Sequence, residues 1–466
     1  MLPKIKRKVI LFILGLFVVI SIFLLSFQHR KINYNVVLIT IDTLRADHLG
    51  CYGYIRDTSP FIDSLAKKGV VFTRAFSSSS HTAPSHASLF TSLQPVQHLV
   101  LINGDTLDNS ILTMAHMFKD VGYETAAFCG VAFLKEIKQG FTTFDCKKYK
   151  ETVSDYRLAS DSVRSVIDWL DKGDANKKFF LWVHFYDVNS PNITPMSCKT
   201  EMVNKMTVDN RTFLEYLKGK HKIPSNFYKD DQTMTEIFNE YDAAIFFVDK
   251  ELKRLFHSIE KKGLNTHTLW IITADHGEGL GNHYYEGHGR YLYNEQLRVP
   301  LIFYFSNKRY TQKRINDLVR LIDIFPTLSD LIHYPLDKKT QFIQGYSLVP
   351  FLKNIRYRLP VTYAFSQRRP KDNGERKAWE PGELYCMQDS NFKYIYHSEG
   401  KDELYNLKND PYELKNLVDT LPKISEKMST MLRHEYNNLF FCRSSNIEEK
   451  FMEEERNELR ALGYLQ

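Results

Sequence analysis

Residues 35–41 read Asn-Val-Val-Leu-Ile-Thr-Ile, and Asp42 follows directly. A continuous apolar run of this length is typical of a strand buried on both faces of a parallel sheet. Comparable runs stand at 70–76, 124–129, 179–185, 268–273 and 300–305. Helical patterns separate most of them, so the sequence predicts an α/β fold with a mostly parallel central sheet and helices on both faces.

The helical patterns cover 60–69, 84–93, 110–120, 154–171 and 233–262. The first has Ser59 as its cap and Pro60 at its first position, and Gly69 ends it. The stretch 192–231 lacks clear periodicity, and we interpret it as an insertion of the kind that builds lids or substrate pockets.

The pattern changes after about residue 355. Short aromatic-rich strands are predicted at 361–365, 392–397 and 404–407, followed by a helix near 423–436. We therefore predict a smaller C-terminal α+β subdomain. The expected division is an N-terminal anchor at 1–31, a catalytic domain at 32–355 and the subdomain at 356–466.

The N-terminus carries four basic residues before an apolar run of 19 residues, from Val9 to Phe27. That length is close to the ~20 residues that span a bilayer as a helix. The basic flank favours a cytoplasmic N-terminus and an exported remainder. A cleaved signal peptide competes with this interpretation, but its apolar core is usually ~7–15 residues and ends at a small-residue site. We expect a single-pass membrane protein that contacts the lipid bilayer through one transmembrane helix. Its catalytic domain would be extracytoplasmic, in the periplasm, the lumen or outside the cell.

The charge and the cysteine content argue against two further classes of protein: nucleic-acid-binding proteins and proteins with a cysteine-based zinc site. The net charge of +7 is spread over 62 basic and 55 acidic residues, and no basic stretch is interleaved with aromatics, so we expect no nucleic-acid partner. None of the six cysteines lies in a CxxC pair, which argues against a cysteine zinc site. Cys129 and Cys146 are near enough to pair in an oxidising compartment, but free or buried thiols fit equally well.

Three residues at strand ends suggest a metal site. Asp42 follows the first strand, and Asp275 and His276 follow the strand at 268–273. Functional residues gather at the carboxyl ends of parallel strands, and two carboxylates with an imidazole suit a divalent ion. Each residue alone is more simply explained as a turn or cap former.

A hydroxyl stands where a helix begins. Thr82 lies in Ser80-His81-Thr82-Ala83-Pro84-Ser85-His86-Ala87-Ser88, just before the predicted helix. The unpaired N–H groups there favour negative charge, and a metal that lowers the pKa of a hydroxyl makes it a nucleophile. Without that context, Thr82 would only flank and cap the helix.

Together these segments resemble the sulfatase family of the alkaline-phosphatase superfamily. Residues 41–54 resemble its opening strand and metal loop, 82–92 its nucleophile signature and 274–283 its second metal motif. Three later segments match in the same order: 297–302, 322–328 and 402–413. The resemblance runs from about Asn35 to about residue 435.

The resemblance implies a divalent metal held by Asp42, Asp275 and His276, with the nucleophile Thr82 reaching the same ion. It also implies that His184 and His288 face the transferred group, where they would stabilise charge or protonate the leaving group. Three further candidates for contact with the substrate anion are His86, Arg45 and Arg290. Arg45 is explained equally well as the partner of a neighbouring carboxylate.

The sequence also departs from the family. Sulfatases proper carry Cys or Ser in Cys/Ser-x-Pro-x-Arg and oxidise it to formylglycine, whereas this chain has Thr82 and His86 at those positions. Threonine could yield only a ketone, so no formylglycine is expected. Many sulfatases have a further metal-binding Asp where Thr43 stands, and often a His where Asn189 stands. Fewer carboxylates and the imidazole of His276 favour zinc or manganese, although calcium also occurs with such a pair.

A threonine nucleophile resembles that of phosphoethanolamine transferases and nucleotide phosphodiesterases of the same superfamily. We therefore expect a membrane-anchored, metal-dependent hydrolase of phosphate esters, with a lipid or a glycan among the candidate substrates. One alternative is a sulfuric ester hydrolase that works without formylglycine, and another is a phosphotransferase acting on envelope lipid or glycan. A catalytically inactive binding homologue would have no need for the full set of site residues.

Overall fold

The computed structural model describes residues 34–146, 156–174, 177–189, 191–205, 208–219, 222–224, 226–336, 343–353, 357–369 and 382–441. Its strands, in chain order, are β1 Asn35–Ile41, β2 Val70–Phe76, β3 Glu124–Cys129, β4 Thr143–Asp145, β5 Phe179–Phe185, β6 Thr268–Thr273, β7 Gly279–Leu280, β8 Glu286–Gly287, β9 Arg298–Phe305, β10 Lys313–Arg320, β11 Ala364–Arg368, β12 Leu384–Gln388, β13 Phe392–His397 and β14 Glu403–Asn406.

Eight of these strands form the central sheet, in the order β10–β2–β9–β6–β1–β5–β3–β4. Five of the seven neighbouring pairs are parallel, and β9 runs antiparallel to both β2 and β6. The sheet is therefore mixed, which refines the prediction of a mostly parallel sheet. The described segment between β6 and β9 contains only a short hairpin, one 3-10 turn and a four-residue helix. Because this segment has no crossover helix that would return the chain to the edge where β6 begins, β9 runs antiparallel to β6.

Strand β1 lies at the centre of the sheet, between β6 and β5. All seven of its residues are buried, as the unbroken apolar run predicts for a strand covered on both faces. Thr40 is in register with His184 on one side and with Thr273 on the other. The residues that follow these three strands therefore emerge together at one edge.

The α-helices include most of the predicted ones, with boundaries shifted by a few residues. They are Pro60–Lys68, Thr82–Thr91, Pro95–His98, Met114–Asp120, Ala159–Lys172, Met196–Lys205, Asn210–Gly219, Asp231–Lys261, Asn294–Leu297, Ile324–Ile332, Val349–Leu352 and Pro422–Phe441. Two helices lie inside the predicted insertion at 192–231. Met196–Lys205 packs against the long helix Asp231–Lys261, so tertiary contact compensates for its weak amphipathic pattern.

The second sheet is antiparallel, in the order β11–β12–β13–β14. The helix Pro422–Phe441 packs against β12 and β13, where Met428, Leu432 and Tyr436 share a core with Tyr385 and Tyr394. This arrangement supports a smaller C-terminal unit of strands and a helix. The domain boundaries at 31/32 and 355/356 remain predictions.

The expectation of a membrane-spanning helix needs correction. Among the helices of the described residues, none is both long and apolar enough to cross a bilayer. Even the 31-residue helix Asp231–Lys261 carries charged side chains along its length. The predicted anchor at 1–31 lies outside the described residues. A single-pass membrane location and binding to a lipid bilayer through one helix are therefore not supported.

Candidate active site

Asp42, Asp275 and His276 meet at the carboxyl edge of β1 and β6, as their positions in the sequence predict. One ligand atom from each side chain lies within 4.8 Å of the others, and all three residues are fully buried. The Nε2 atom of His276 lies 3.4 Å from Asp275 Oδ2 and 3.9 Å from Asp42 Oδ1. Parallel neighbouring strands in register account for this convergence.

The chemistry of this cluster fits a divalent metal ion. The Nδ1–H of His276 donates to the Gly277 carbonyl at 2.9 Å, which leaves the Nε2 lone pair directed at the two carboxylates. Asp275 Oδ1 accepts hydrogen bonds from the backbone N–H groups of His276 and Thr43. Its Oδ2 atom is buried without a hydrogen-bond donor, a state that is costly for an ionised oxygen unless a cation is nearby. Asp42, Asp275 and His276 could thus hold a divalent metal ion.

The electrostatics of the two carboxylates reflect their proximity. Burial alone would raise the pKa of Asp42, but His184, with Nε2 at 3.3 Å from Asp42 Oδ2, and the nearby rings of His276 and His288 hold that pKa below its usual range. Burial and the charge of Asp42 raise the pKa of Asp275 well above normal. Burial and neighbouring His288 lower the pKa of His276 to about 4. A bound cation would relieve the repulsion between the carboxylates.

Thr82 is the first residue of the helix Thr82–Thr91 and is 1% exposed. Its Oγ1 atom lies 3.4 Å from Asp42 Oδ2 and 3.3 Å from His276 Nε2. The Nδ1–H of His86 donates to the Thr82 carbonyl at 2.8 Å, and the other ring nitrogen of His86 lies 3.0 Å from Thr40 Oγ1. The hydroxyl of Thr82 therefore points into the cluster from a backbone that its own helix holds in place.

The two histidines expected to face the transferred group differ in their access to solvent. His184 is fully buried, with Nε2 at 3.3 Å from Asp42 Oδ2 and Nδ1 at 3.2 Å from Thr40 Oγ1. The side chain of His288 is 25% exposed, and its ring lies 4.8 Å, centroid to centroid, from the ring of His276. Only His288 combines contact with the cluster and access from solvent, so it is the better placed of the two to meet a substrate.

Two residues of the site were missed in the sequence analysis as functional groups. Glu278 Oε2 lies 3.1 Å from His288 Nδ1. Because a carboxylate oxygen accepts, the hydrogen of this bond is carried by Nδ1. Asn189 Nδ2 donates to Asp42 Oδ1 at 3.0 Å and lies 3.4 Å from His288 Nε2. Glu278 could have been identified from its position two residues after His276, in Asp275-His276-Gly277-Glu278. Asn189 had been noted only as a departure from the family.

The three anion-contact candidates are placed as follows. Arg45 is 3% exposed, pairs with Asp47 at 2.8 Å and donates to the Glu278 carbonyl at 3.1 Å. His86 is buried behind Thr82. The guanidinium of Arg290 lies 5.4 Å and 4.9 Å from the ring centroids of Tyr285 and Tyr291. The contacts of Arg45 and His86 stabilise neighbouring parts of the structure. Contact of Arg45, His86 and Arg290 with the substrate anion remains a prediction.

Comparison with family models connects the site to known proteins. The model of the family described as Sulfatase matches residues 34–334. A second model, described as N-sulphoglucosamine sulphohydrolase, C-terminal, matches residues 281–439. The first match contains every residue of the candidate site, and the second covers the antiparallel sheet and the last described helix except for its final two residues.

Individual relatives are similar over most of their length. The Delta 4,5-hexuronate-2-O-sulfatase of Bacteroides thetaiotaomicron is 25% identical, over 84% of this chain and 86% of the relative. The arylsulfatase of Clostridium perfringens is 23% identical, over 83% of this chain and 90% of the relative. The crystal structure of a phosphonate monoester hydrolase of Agrobacterium radiobacter superposes with a TM-score of 0.71 at 22% identity, covering 86% of this chain and 96% of that one.

Proposed function

Since this chain belongs to the sulfatase family, we propose that it is a metal-dependent ester hydrolase that uses Thr82 as an unmodified nucleophile and acts on phosphate or phosphonate esters. The observation that carries the proposal is the position of Thr82 Oγ1, 3.4 Å from Asp42 and 3.3 Å from His276. A hydroxyl so close to the metal-ligand cluster has the placement that a nucleophile needs.

A divalent ion held by Asp42, Asp275, His276 and Thr82 would supply a Lewis acid that lowers the pKa of the hydroxyl and neutralises charge on the ester. Two carboxylates with an imidazole favour zinc or manganese over calcium. The burial of this cluster excludes water, which strengthens its electrostatic interactions.

The side chains of the site suggest how the reaction proceeds. The Thr82 hydroxyl gives its proton to solvent, and Thr82 Oγ1 attacks phosphorus in line. The bond to the leaving oxygen breaks, and protonated His288 donates its proton to that oxygen. Glu278 holds His288 in position for this transfer. A water molecule then gives a proton to His288 and attacks the phospho-threonine, which releases the acid and leaves Thr82 Oγ1 as an alkoxide that takes up a proton from solvent.

The choice of phosphorus rests on the chemistry of threonine. Sulfatases proper use a formylglycine aldehyde, which threonine cannot form. Thr82 has a single hydroxyl, so a Thr82 ester has to be cleaved by water at the transferred atom. A threonine nucleophile that forms a phospho-threonine is the feature in which this chain resembles phosphoethanolamine transferases and nucleotide phosphodiesterases.

Sulfate esters are the second candidate, and the names of the relatives favour them. The relative from Bacteroides thetaiotaomicron is named for a 2-O-sulfated hexuronate, and the one from Clostridium perfringens is named an arylsulfatase. A sulfated glycan is accordingly the alternative substrate class, and it would require the same attack by Thr82 on sulfur.

The deciding experiment compares three nitrophenyl esters: a phosphate monoester, a phosphate diester and a sulfate, with zinc, manganese or calcium supplied. We expect a phosphate ester to be turned over fastest, Thr82→Ser to keep partial activity and Thr82→Ala to lose it. Thr91→Ala is the matched control, because Thr91 lies in the same helix and its hydroxyl donates to the Ala87 carbonyl and accepts from the Leu93 N–H. Full activity of Thr82→Ala would refute the assignment of the nucleophile, and faster sulfate turnover would select the second candidate.

A further inference from the structure

Cys129 and Cys146 lie side by side at one edge of the central sheet. Cys129 is the last residue of β3, and Cys146 directly follows β4. The two strands are parallel, and Phe128 of β3 is in register with Asp145 of β4. The next residue along β3 is Cys129, and the residue after β4 is Cys146. Neighbouring strands are separated by about 4.8 Å, and residues in register point to the same face.

The two thiols are close enough to influence each other. A hydrogen bond with Cys146 is among the causes that raise the pKa of Cys129, and neither cysteine is in a disulfide. The other described cysteines, Cys51, Cys198 and Cys386, lie in a 3-10 turn, in the helix Met196–Lys205 and in β12. A disulfide needs Cα atoms about 4.4–6.8 Å apart, and the spacing of about 4.8 Å between neighbouring strands meets that condition.

Access to the pair is one-sided. Cys129 is fully buried, whereas Cys146 is partly exposed. Burial raises the pKa of the Cys129 thiol, which keeps it protonated while Cys146 is the sulfur that solvent reaches. An external reagent therefore reacts first at Cys146, and Cys129 is held beside it as the resolving thiol.

We propose that Cys129 and Cys146 are a disulfide-forming pair, which closes when the protein meets a small-molecule disulfide. The Cys146 thiolate attacks the reagent R–S–S–R, forms a mixed disulfide and releases one thiolate R–S⁻. The Cys129 thiol gives its proton to the released R–S⁻, attacks the sulfur of Cys146 and displaces the second R–S⁻, which takes up a proton from solvent. Two protein thiols are oxidised to one disulfide, and one reagent disulfide is reduced to two thiols.

The bridge would stabilise a weakly held edge of the sheet. β4 has three residues and pairs only with β3 among the strands of the sheet. Closing the loop between residues 129 and 146 restricts the unfolded chain, and a bridge of this span raises the unfolding midpoint by several degrees, roughly 5 °C for a chain of this size. Cys129 is also in register with His184, and the Gly130 N–H donates to the His184 carbonyl at 2.9 Å. The bridge thus lies one strand away from the candidate active site.

The test is incubation of the full chain with oxidised glutathione, followed by mass spectrometry of the intact protein and of its peptides. We expect the loss of two hydrogen atoms, a cross-linked peptide joining residues 129 and 146, and an unfolding midpoint that rises on oxidation and returns with reductant. Cys146→Ser should abolish all three changes, and the matched control Cys198→Ser should leave them intact.

Three results would overturn the proposal. One is a protein that keeps both thiols after oxidation. Another is Cys146 remaining as a mixed disulfide with glutathione, and the third is a bridge between other cysteines. Because the oxidised and reduced wild-type chains are compared directly, a variant that fails to fold does not decide the outcome.

Discussion

His283 should make the stability of this protein depend on pH above neutrality. Its Nδ1 atom lies 2.9 Å from Glu295 Oε1, its Nε2 atom lies 3.0 Å from the Glu413 carbonyl, and its ring stacks on Tyr293 with centroids 3.7 Å apart. Both nitrogens face acceptors, so the ring is best satisfied when both carry a proton. Burial alone would lower the pKa of His283, but the Glu295 carboxylate and the Glu413 groups outweigh it and raise the pKa to about 9.

The magnitude follows from linkage between protonation and folding. The pKa rises from 6.5 in the unfolded chain to about 9 in the folded one. Each unit corresponds to 1.36 kcal/mol, so protonated His283 contributes about 3 kcal/mol to the free energy of unfolding. Because the folded pKa is the higher of the two, this contribution is fully present below pH 6.5 and is lost as the pH rises through 9.

The measurement is urea unfolding of the wild type and of His283→Gln, at intervals from pH 6 to pH 9.5. The difference in the free energy of unfolding should shrink by about 3 kcal/mol across that range. Lost stacking on Tyr293 adds only a constant offset. The matched control is His257→Gln, because His257 also pairs with a glutamate, Glu260 at 3.1 Å, but its side chain is 55% exposed. Solvent screens such a pair, so its difference should stay near zero at every pH.

A difference for His283→Gln that stays flat from pH 6 to pH 9.5 would refute the reasoning. So would a slope of equal size in His257→Gln, because the effect would then come from any histidine–glutamate pair and not from burial beside Glu295.

Three further changes test other parts of the structure. Asp275→Asn should lower the affinity for zinc or manganese at least ~10-fold, measured as metal retained after dialysis, and undiminished metal would contradict the assignment of this ligand. Glu278→Gln should lower kcat ~10–100-fold with little change in KM, because His288 loses the carboxylate that orients it; an unchanged kcat would remove Glu278 from the mechanism. Gly277→Ala should destabilise the fold by roughly 2 kcal/mol or more, because its Cβ would lie 2.1 Å from a backbone oxygen, whereas Gly219→Ala meets nothing within 4 Å. Equal melting temperatures of these two glycine variants would argue against that clash.

The sequence predicted the centre of the fold well and its edges poorly. β1, β2, β3, β5 and β6 have the predicted boundaries, because strands buried on both faces leave an unbroken apolar run. β10 escaped prediction, because its sequence Lys-Arg-Ile-Asn-Asp-Leu-Val-Arg is half exposed at the edge of the sheet. β4 is too short for any periodic signal. Edge strands gain much of their order from a neighbour, which a local pattern cannot reveal.

The same distinction holds for the site. Asp42, Asp275 and His276 could be placed together, since strand ends in a parallel sheet converge at one edge. The pairing of Glu278 with His288 could not, because it depends on the two-residue strands β7 and β8, which bring residues ten positions apart into contact. The contact between Asn189 and Asp42 could not be predicted either, because Asn189 lies in a turn after β5 that has no distinctive sequence pattern.

The reversed direction of β9 has a practical consequence for engineering. Because β9 runs against β6, its last residue Phe305 pairs with Leu269 near the start of β6, at the edge remote from Asp275. The loop that follows is exposed at 307–309. A fluorescent reporter or an immobilisation tag inserted there would point away from the catalytic entrance, so a protein attached to a surface through this loop should keep its turnover and its metal content.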